Sequence, residues 1–438
     1  MWRLGGLGLL SMLFYLSAGF WQPPLPRSYQ PLYFLWFSIL FVIYLAALLE
    51  SRRTAIAGHP RQLALIIAWG LIFRASLLGV TPGFLSDDLY RYVWDGLVQQ
   101  AGINPYLYPP EAEALAFLRD DAIFPWINRK WAPTIYPPGA QLFFRAMAWL
   151  CPGSLLAMKG AILLADVITL MLLLALLKHL HADRCWVLLY AWNPLVLVEL
   201  GISGHLDGLM IPFVLLAFFW TFKKRPEYAG LALGAATLIK LYPALLLPVL
   251  FRGRTWGLLV AWAAIVAAGY ALFWEAGWQV LGYLSWYASP YEFYNLSLRH
   301  PLSWLVGLIA AEPHRYGQAV GLGVLLLAMG WCLRHKGLAE TASVQWGIVL
   351  IALYLLIASP SVFPWYLLWL LALTTLVRSW LTPAWVYWSW SVNIDYLEAL
   401  FGRDSPILWL RLVEYVPLYL WLIGYGWWAR GRFWKERP

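Results

Sequence analysis

The chain has 438 residues, 62% of them hydrophobic and only 12% charged, with a mean hydropathy of +0.65. That composition excludes an ordinary soluble domain and reads as an all-α polytopic membrane protein whose solvent is mostly lipid. The net charge of +9 does not imply a nucleic-acid partner, because the basic residues stand in short clusters between apolar runs rather than over one polar domain.

A spanning helix needs about 20 apolar residues. In chain order the sequence offers runs near 4–21, 31–49, 63–80, 158–177, 186–202, 207–222, 256–274, 316–333, 343–358, 364–377, 381–396 and 406–428. The expectation is therefore about twelve transmembrane helices. The first run lacks a clear small-x-small cleavage site after it and reads as an uncleaved span. Alternate turns are basic: Arg52, Arg53 and Arg61, then Lys178 and Arg184, then Lys223, Lys224 and Arg225, then Arg334 and Lys336, then Arg378, and finally the tail GRFWKERP. By the positive-inside rule these turns and both termini are cytoplasmic.

Two apolar pieces do not fit a full crossing. Residues 139–151 read as a surface or re-entrant helix, and 228–250, broken at LIKLYPALL, as a re-entrant hairpin. The chain, 1–438, is then one transmembrane domain. Its polar segments face outward: a large first extracytoplasmic loop over 81–157 carrying short surface helices, the GISGHLDGL turn at 201–209, a second loop at 275–301, and the SPSVFPWY turn at 359–366. Cys151, Cys185 and Cys332 show neither a disulfide pattern nor a zinc pattern. There is no Walker A or dinucleotide fingerprint, and no internal repeat of the kind that marks many secondary transporters.

The outer segments carry the candidate chemistry. Asp87 and Asp88 follow the third run at the membrane surface, where low dielectric and a like-charged neighbour tend to raise a carboxylate pKa, so either could act as a base. Arg91 lies one helical turn on, placed to hold a carboxylate ionised or to bind an anion. The passages INPYLYPP and INRKWAPTIYPPGAQ, with Arg129, Lys130 and Tyr136, are too rich in Pro and aromatics for a slack linker. Lys240 sits inside an apolar run, where a charge is costly unless it has a task. It and the outward pair Arg299 and His300 are cations for a phosphate. His205 and Asp207 are weaker candidates, since His-x-Asp also arises by chance. Glu199 and Asp166 read as structural acids paired with some internal Lys, Arg or Tyr. The aromatic stretches at 286–295 and 363–369 suit a membrane-interface belt or sugar stacking.

Taken together, LSDDLYRYVWDG with INPY, INRKWAPTIYPPGAQ, WNPLVLVELGISGHLDGL, LIKLYPALLLPVL and SPSVFPWYLLW resemble the bacterial membrane glycosyltransferases of the GT-C superfamily. The nearest branch is the polyprenyl-phosphate-mannose-dependent mannosyltransferases, related to the phosphatidylinositol-mannoside enzymes and to the catalytic subunit of GPI mannosyltransferase. The resemblance covers nearly the whole chain. It implies a bacterial plasma-membrane enzyme that moves a hexose, mannose first, from a polyprenyl-phosphate donor to a hydroxyl of an extracytoplasmic glycolipid or glycan, with inversion. An acid in the first outer loop is its base. That acid is Asp88 if placed four residues before Tyr92, and Asp87 if aligned on the preceding Ser86. Lys240, Arg91, Arg129, Lys130, Arg299 and His300 would meet the donor phosphate, and His205, Asp207, Tyr92, Tyr136 and Tyr242 the substrates. No cofactor is implied, because cations can neutralise a single phosphate, although a divalent metal stays open. The alternative is a transporter or flippase of a lipid-linked sugar.

Overall fold

The computed structural model describes residues 2–21, 29–53, 60–251, 255–287, 289, 295–334, 339–398 and 408–433. Lys336, the last residues 434–438, and most of the 286–295 stretch (288 and 290–294) lie outside them. Helices dominate the described residues and no sheet is present, as expected where the backbone must satisfy its own polar groups.

Helix α1 (Trp2–Ser17) packs on α2 (Gln30–Arg53) and α3 (Pro60–Leu77). The segment after α3 then supplies α4 (Asp88–Gln100) and α5 (Pro138–Leu150), which pair with each other. Next come α6 (Leu155–His179), α7 (Leu188–Ala191), α8 (Pro194–Gly201) and α9 (Asp207–Phe222), with α6 lying along α9. Helix α10 (Pro226–Ile239) lies between α9 and α12 (Trp256–Ala271), and the four-residue α11 (Leu247–Leu250) stands between α10 and α12 in sequence. The remainder comprises α13 (Leu284–Tyr287), α14 (Arg299–Gly307), α15 (Pro313–Arg334), α16 (Glu340–Leu353), α17 (Leu368–Leu376), α18 (Thr382–Ser391), α19 (Ile394–Glu398) and α20 (Leu408–Phe433).

Among the described residues, four helices are long and apolar enough to cross a membrane: Gln30–Arg53, Leu155–His179, Pro313–Arg334 and Glu340–Ala358. A fifth is added if Trp256–Ala271 and Trp274–Leu281, bent by 109°, form one broken span. The membrane class is thus present, but helix length alone does not reproduce about twelve crossings. Local chemistry explains several of the shorter pieces. The run at 186–202 is no single helix: Asn193 accepts from the Leu195 N–H at 2.9 Å and starts α8, while Pro194 has no N–H with which to continue α7. The run at 364–377 divides into a 3₁₀ turn and the nine-residue α17, and that at 381–396 into α18 and the start of α19. Helix α3 carries Arg61 and Arg74 within 18 residues.

The apolar stretch at 228–250 breaks where the sequence suggested. Helix α10 ends at Lys240, whose backbone is extended (φ −144°, ψ 142°), and a 3₁₀ turn follows from Tyr242. Small residues let α10 approach its neighbour: a Cβ on Gly230 would stand 2.2 Å from the Leu258 carbonyl oxygen of α12. Buried charges also join helices. Arg74 Nε contacts Asp166 Oδ2 at 2.6 Å, and the Tyr190 hydroxyl donates to Asp166 Oδ1 at 2.8 Å. Asp166 is therefore an internally paired acid, as the sequence suggested. Cys151, Cys185 and Cys332 are free thiols.

Candidate active site

Asp88 opens α4, where helix N-terminal N–H groups favour negative charge. Its own N–H donates to the Ser86 hydroxyl at 3.2 Å, which sets the direction of entry. The Asn128 amide spans the acidic pair, donating to Asp87 Oδ1 at 2.7 Å and to Asp88 Oδ1 at 2.9 Å. Asp88 is 19% exposed and faces inward to a fully buried imidazole: His205 Nδ1 is 3.6 Å from Asp88 Oδ2. On its other edge, His205 Nε2 is 3.2 Å from Glu199 Oε2. The ring stacks on Trp365 with centroids 3.8 Å apart, and Trp365 stacks in turn on Phe363. The turn carrying His205 depends on Gly204, whose φ of +70° a side chain would strain.

Beside this lies a second cluster. Lys240 Nζ contacts Asp207 Oδ2 at 2.5 Å, and the Tyr242 hydroxyl donates to the other oxygen of Asp207. Lys240 also lies over the rings of Tyr242 and Tyr366, at 5.8 and 5.6 Å from their centroids. Because α10 ends at Lys240 and α9 begins at Asp207, both groups sit at helix termini, and the break in the 228–250 run is what turns the ammonium toward the acid. Tyr92 connects this region to α4: its hydroxyl accepts from the Leu206 N–H at 3.4 Å, and its ring meets Tyr136 edge-on at 5.0 Å.

Electrostatics corrects one expectation. Burial does push the Asp88 carboxyl upward. The contact with His205, the positive charges of His205 and Lys240, and the Asn128 hydrogen bond outweigh it, holding the carboxyl below the usual carboxylate range rather than above it. For His205 the balance is reversed: burial lowers its pKa, while Asp88 and Glu199 raise it further, so the imidazole is held above its ordinary value. Burial, aided by the charge of Asp88, keeps the hydroxyls of Tyr92 and Tyr136 protonated well above the ordinary tyrosine range.

The other expected phosphate ligands do not join this cluster through any contact described. Arg91 is buried and turned along α4, with Nε 2.9 Å from Asp95 Oδ1 and Nη2 donating to the Ala132 carbonyl at 3.2 Å. Gln141 donates to the other oxygen of Asp95 at 2.9 Å, so this arginine braces α4, α5 and the intervening loop. Arg129 donates to the Tyr283 hydroxyl at 2.6 Å and Lys130 to the Pro125 carbonyl at 2.9 Å. Arg299 is fully buried and donates to the carbonyls of Ser359 and Ala358, at 2.7 and 3.4 Å, so it fastens the SPSVFPWY turn. His300 is exposed at the start of α14.

The chain therefore gathers Asp88, Asp87, His205, Asp207, Lys240, Tyr242, Tyr92 and Tyr136. Asn128 and Trp365 complete the setting and were not singled out, although both lie inside quoted motifs. Glu199 was assigned a structural role and does pair with a tyrosine, Tyr396, at 2.9 Å. Its approach to His205, six residues on, follows from the tight turn between α8 and α9. No group of three or more His, Cys, Asp or Glu residues arranged to hold a metal ion occurs among the described residues.

The class is a membrane glycosyltransferase. Residues 26–256 match the family described as "Alpha-(1->6)-mannopyranosyltransferase, N-terminal domain"; that is more than half of the chain, and the chain belongs to this family. It is also similar to alpha-(1->6)-mannopyranosyltransferase A of Mycobacterium tuberculosis (strain ATCC 25618 / H37Rv), with 24% identity over 368 residues covering 75% of this chain and 68% of that protein. The GT-C mannosyltransferase resemblance read from the motifs is thereby shown. Asp88, Asn128, Glu199, His205, Asp207, Lys240 and Tyr242 all lie within the matched region.

Proposed function

We propose that the chain transfers mannose from a polyprenyl-phosphate donor to a hydroxyl of an extracytoplasmic glycolipid or glycan, with Asp88 as general base. The observation that carries this reading is the convergence of Asp88, Asp207 and Lys240, at the ends of α4, α9 and α10, with His205 on the turn between α8 and α9, groups spread over some 150 residues of chain. A base must meet the acceptor hydroxyl as a carboxylate, and a cation must neutralise the phosphate that leaves the anomeric carbon.

The name of the relative supports an α-(1→6) product, and inversion then requires a β-configured donor. In the step, the acceptor oxygen bonds to the anomeric carbon as its proton passes to Asp88, while the bond from that carbon to the phosphate oxygen breaks and the phosphate keeps the electron pair. Lys240 has three donors, so it can keep Asp207 and still take a phosphate oxygen, with the Tyr242 hydroxyl beside it. Phe363 and Tyr366, part-exposed on either side of Trp365 in sequence, offer faces for a sugar or an isoprenoid chain. A crossing count of about twelve, cytoplasmic termini and an outward-facing site belong to the same reading, supported by the basic turns.

The test uses the purified protein in lipid nanodiscs, radiolabelled polyprenyl-phosphate mannose and a crude lipid extract as acceptor. Transfer by the wild type from this donor and from no other polyprenyl-phosphate sugar, lowered about 10²–10⁴-fold in Asp88→Asn, is the expected result. Lys240→Ala should raise the donor KM. Normal turnover by Asp88→Asn with an inactive Asp87→Asn would move the base one residue back; activity in both would remove the mechanism.

A further inference from the structure

Glu199 takes no part in the transfer step, yet its carboxylate is fully buried: Oε1 accepts from Tyr396 at 2.9 Å, while Oε2 lies 3.2 Å from His205 Nε2, an ion-pair approach without hydrogen-bond alignment. The opposite nitrogen of the same ring faces Asp88 at 3.6 Å. A neutral imidazole has one N–H and one lone pair, so it would turn a lone pair on one of these two acids. Only the protonated ring, with an N–H on each nitrogen, turns positive charge toward both acids. Trp365, stacked at 3.8 Å, closes one face of the ring and prevents it from turning to a better pairing. The Tyr396 hydroxyl holds Glu199 in place, and the Tyr396 ring is itself packed edge-on against Tyr33 at 5.7 Å.

We propose that Glu199 is a positioning residue for mannosyl transfer: it fixes the His205 ring as the proton-bearing partner of Asp88, so that Asp88 meets the acceptor hydroxyl as a carboxylate. This rests on the reading of Asp88 as the base. Without a fixed positive partner, a carboxyl at this depth tends to take a proton from water, and a protonated acid cannot accept one from the substrate. During the step His205 keeps its proton; the hydroxyl proton goes to Asp88, and Asp88 releases it to water once the product has left. The charged and titratable groups facing this pair are Asp88 itself from α4, Glu199 from α8, Asp207 and Lys240 beyond it, and the hydroxyls of Tyr92, Tyr136, Tyr396 from α19 and Tyr33 from α2.

The test is the pH dependence of kcat and donor KM for the full-length protein in nanodiscs, comparing wild type, Glu199→Gln, Glu199→Asp and Asp88→Asn, with melting temperatures measured alongside. Glu199→Gln should lower kcat at least about tenfold. Its donor KM should stay within about twofold, because the lost interaction acts on the chemical step. Its alkaline limb should move to lower pH, since His205 then gives up its proton sooner, and Glu199→Asp should recover part of both effects. Wild-type kcat and limbs in Glu199→Gln beside an inactive Asp88→Asn would overturn the positioning role and leave the base standing. A fall in activity that tracks a fall in melting temperature with unmoved limbs would also overturn it, as a structural effect. An active Asp88→Asn would remove the base and this inference with it.

Discussion

At the scale of the residue, the acidic pair shows what a sequence conveys about chemistry and what it omits. The standing of Asp88 as a candidate base beside Asp87 was legible, but the sign of its pKa shift was not, because that sign depends on His205 and Lys240, remote in sequence. Asp88→Asn should lower kcat by about 10²–10⁴-fold while the protein keeps its melting temperature, as the loss of a general base does. The depressed pKa has a definite consequence for pH. Its folded value lies below the unfolded one, so the ionised carboxylate contributes stability that is complete above about pH 3.9 and is lost as pH falls through the folded value. Asn128 supplies part of that depression through its 2.9 Å hydrogen bond. Asn128→Ala should therefore move the acid limb of kcat/KM upward, and an unmoved limb would show that the amide does not hold the proposed base.

At the scale of the element, breaks were more informative than runs. The Lys240 interruption was readable because a charge and a proline so close together within an apolar stretch argue against a continuous helix. Its purpose emerges only when α10 is set against α9 and the ammonium meets Asp207. The run at 186–202 misled for the converse reason: hydropathy does not register that Asn193 and Pro194 start a new helix. Between α3 and α6, the buried Arg74–Asp166 pair is also held by Tyr190 and by carbonyls of Gly70 and Ala191. Removing one partner would leave a charge stranded in the interior, so Asp166→Ala should destabilise the protein by about 3–5 kcal/mol. Thermal unfolding in detergent, followed by circular dichroism, measures it; a change below about 1 kcal/mol, the scale of an exposed pair, would show that the site is wetter than its burial indicates.

At the scale of the whole molecule, the basic turns predict that the first outer loop and the Lys223–Arg225 turn lie on opposite sides of the membrane. Cysteines placed at the exposed positions Asp121 and Lys223, in a protein whose three native cysteines are replaced by serine, should react differently with a membrane-impermeant maleimide. In intact cells, position 121 should be labelled and position 223 protected until the membrane is opened. Labelling of both from outside would overturn the assigned orientation.

Composition alone was enough to establish a helical membrane protein, because a lipid solvent leaves an apolar chain few other ways to satisfy its backbone. Motif spelling carried the family, since the chemistry of phosphate and hydroxyl needs particular residue types near particular turns. Pairing was decided only by the tertiary structure. Glu199 and Lys240 are visible as charges inside apolar runs, and Asp88 and His205 as polar groups in the segments between runs, but which acid faces which cation, and therefore which proton is held and which can move, depends on how helix ends meet in space.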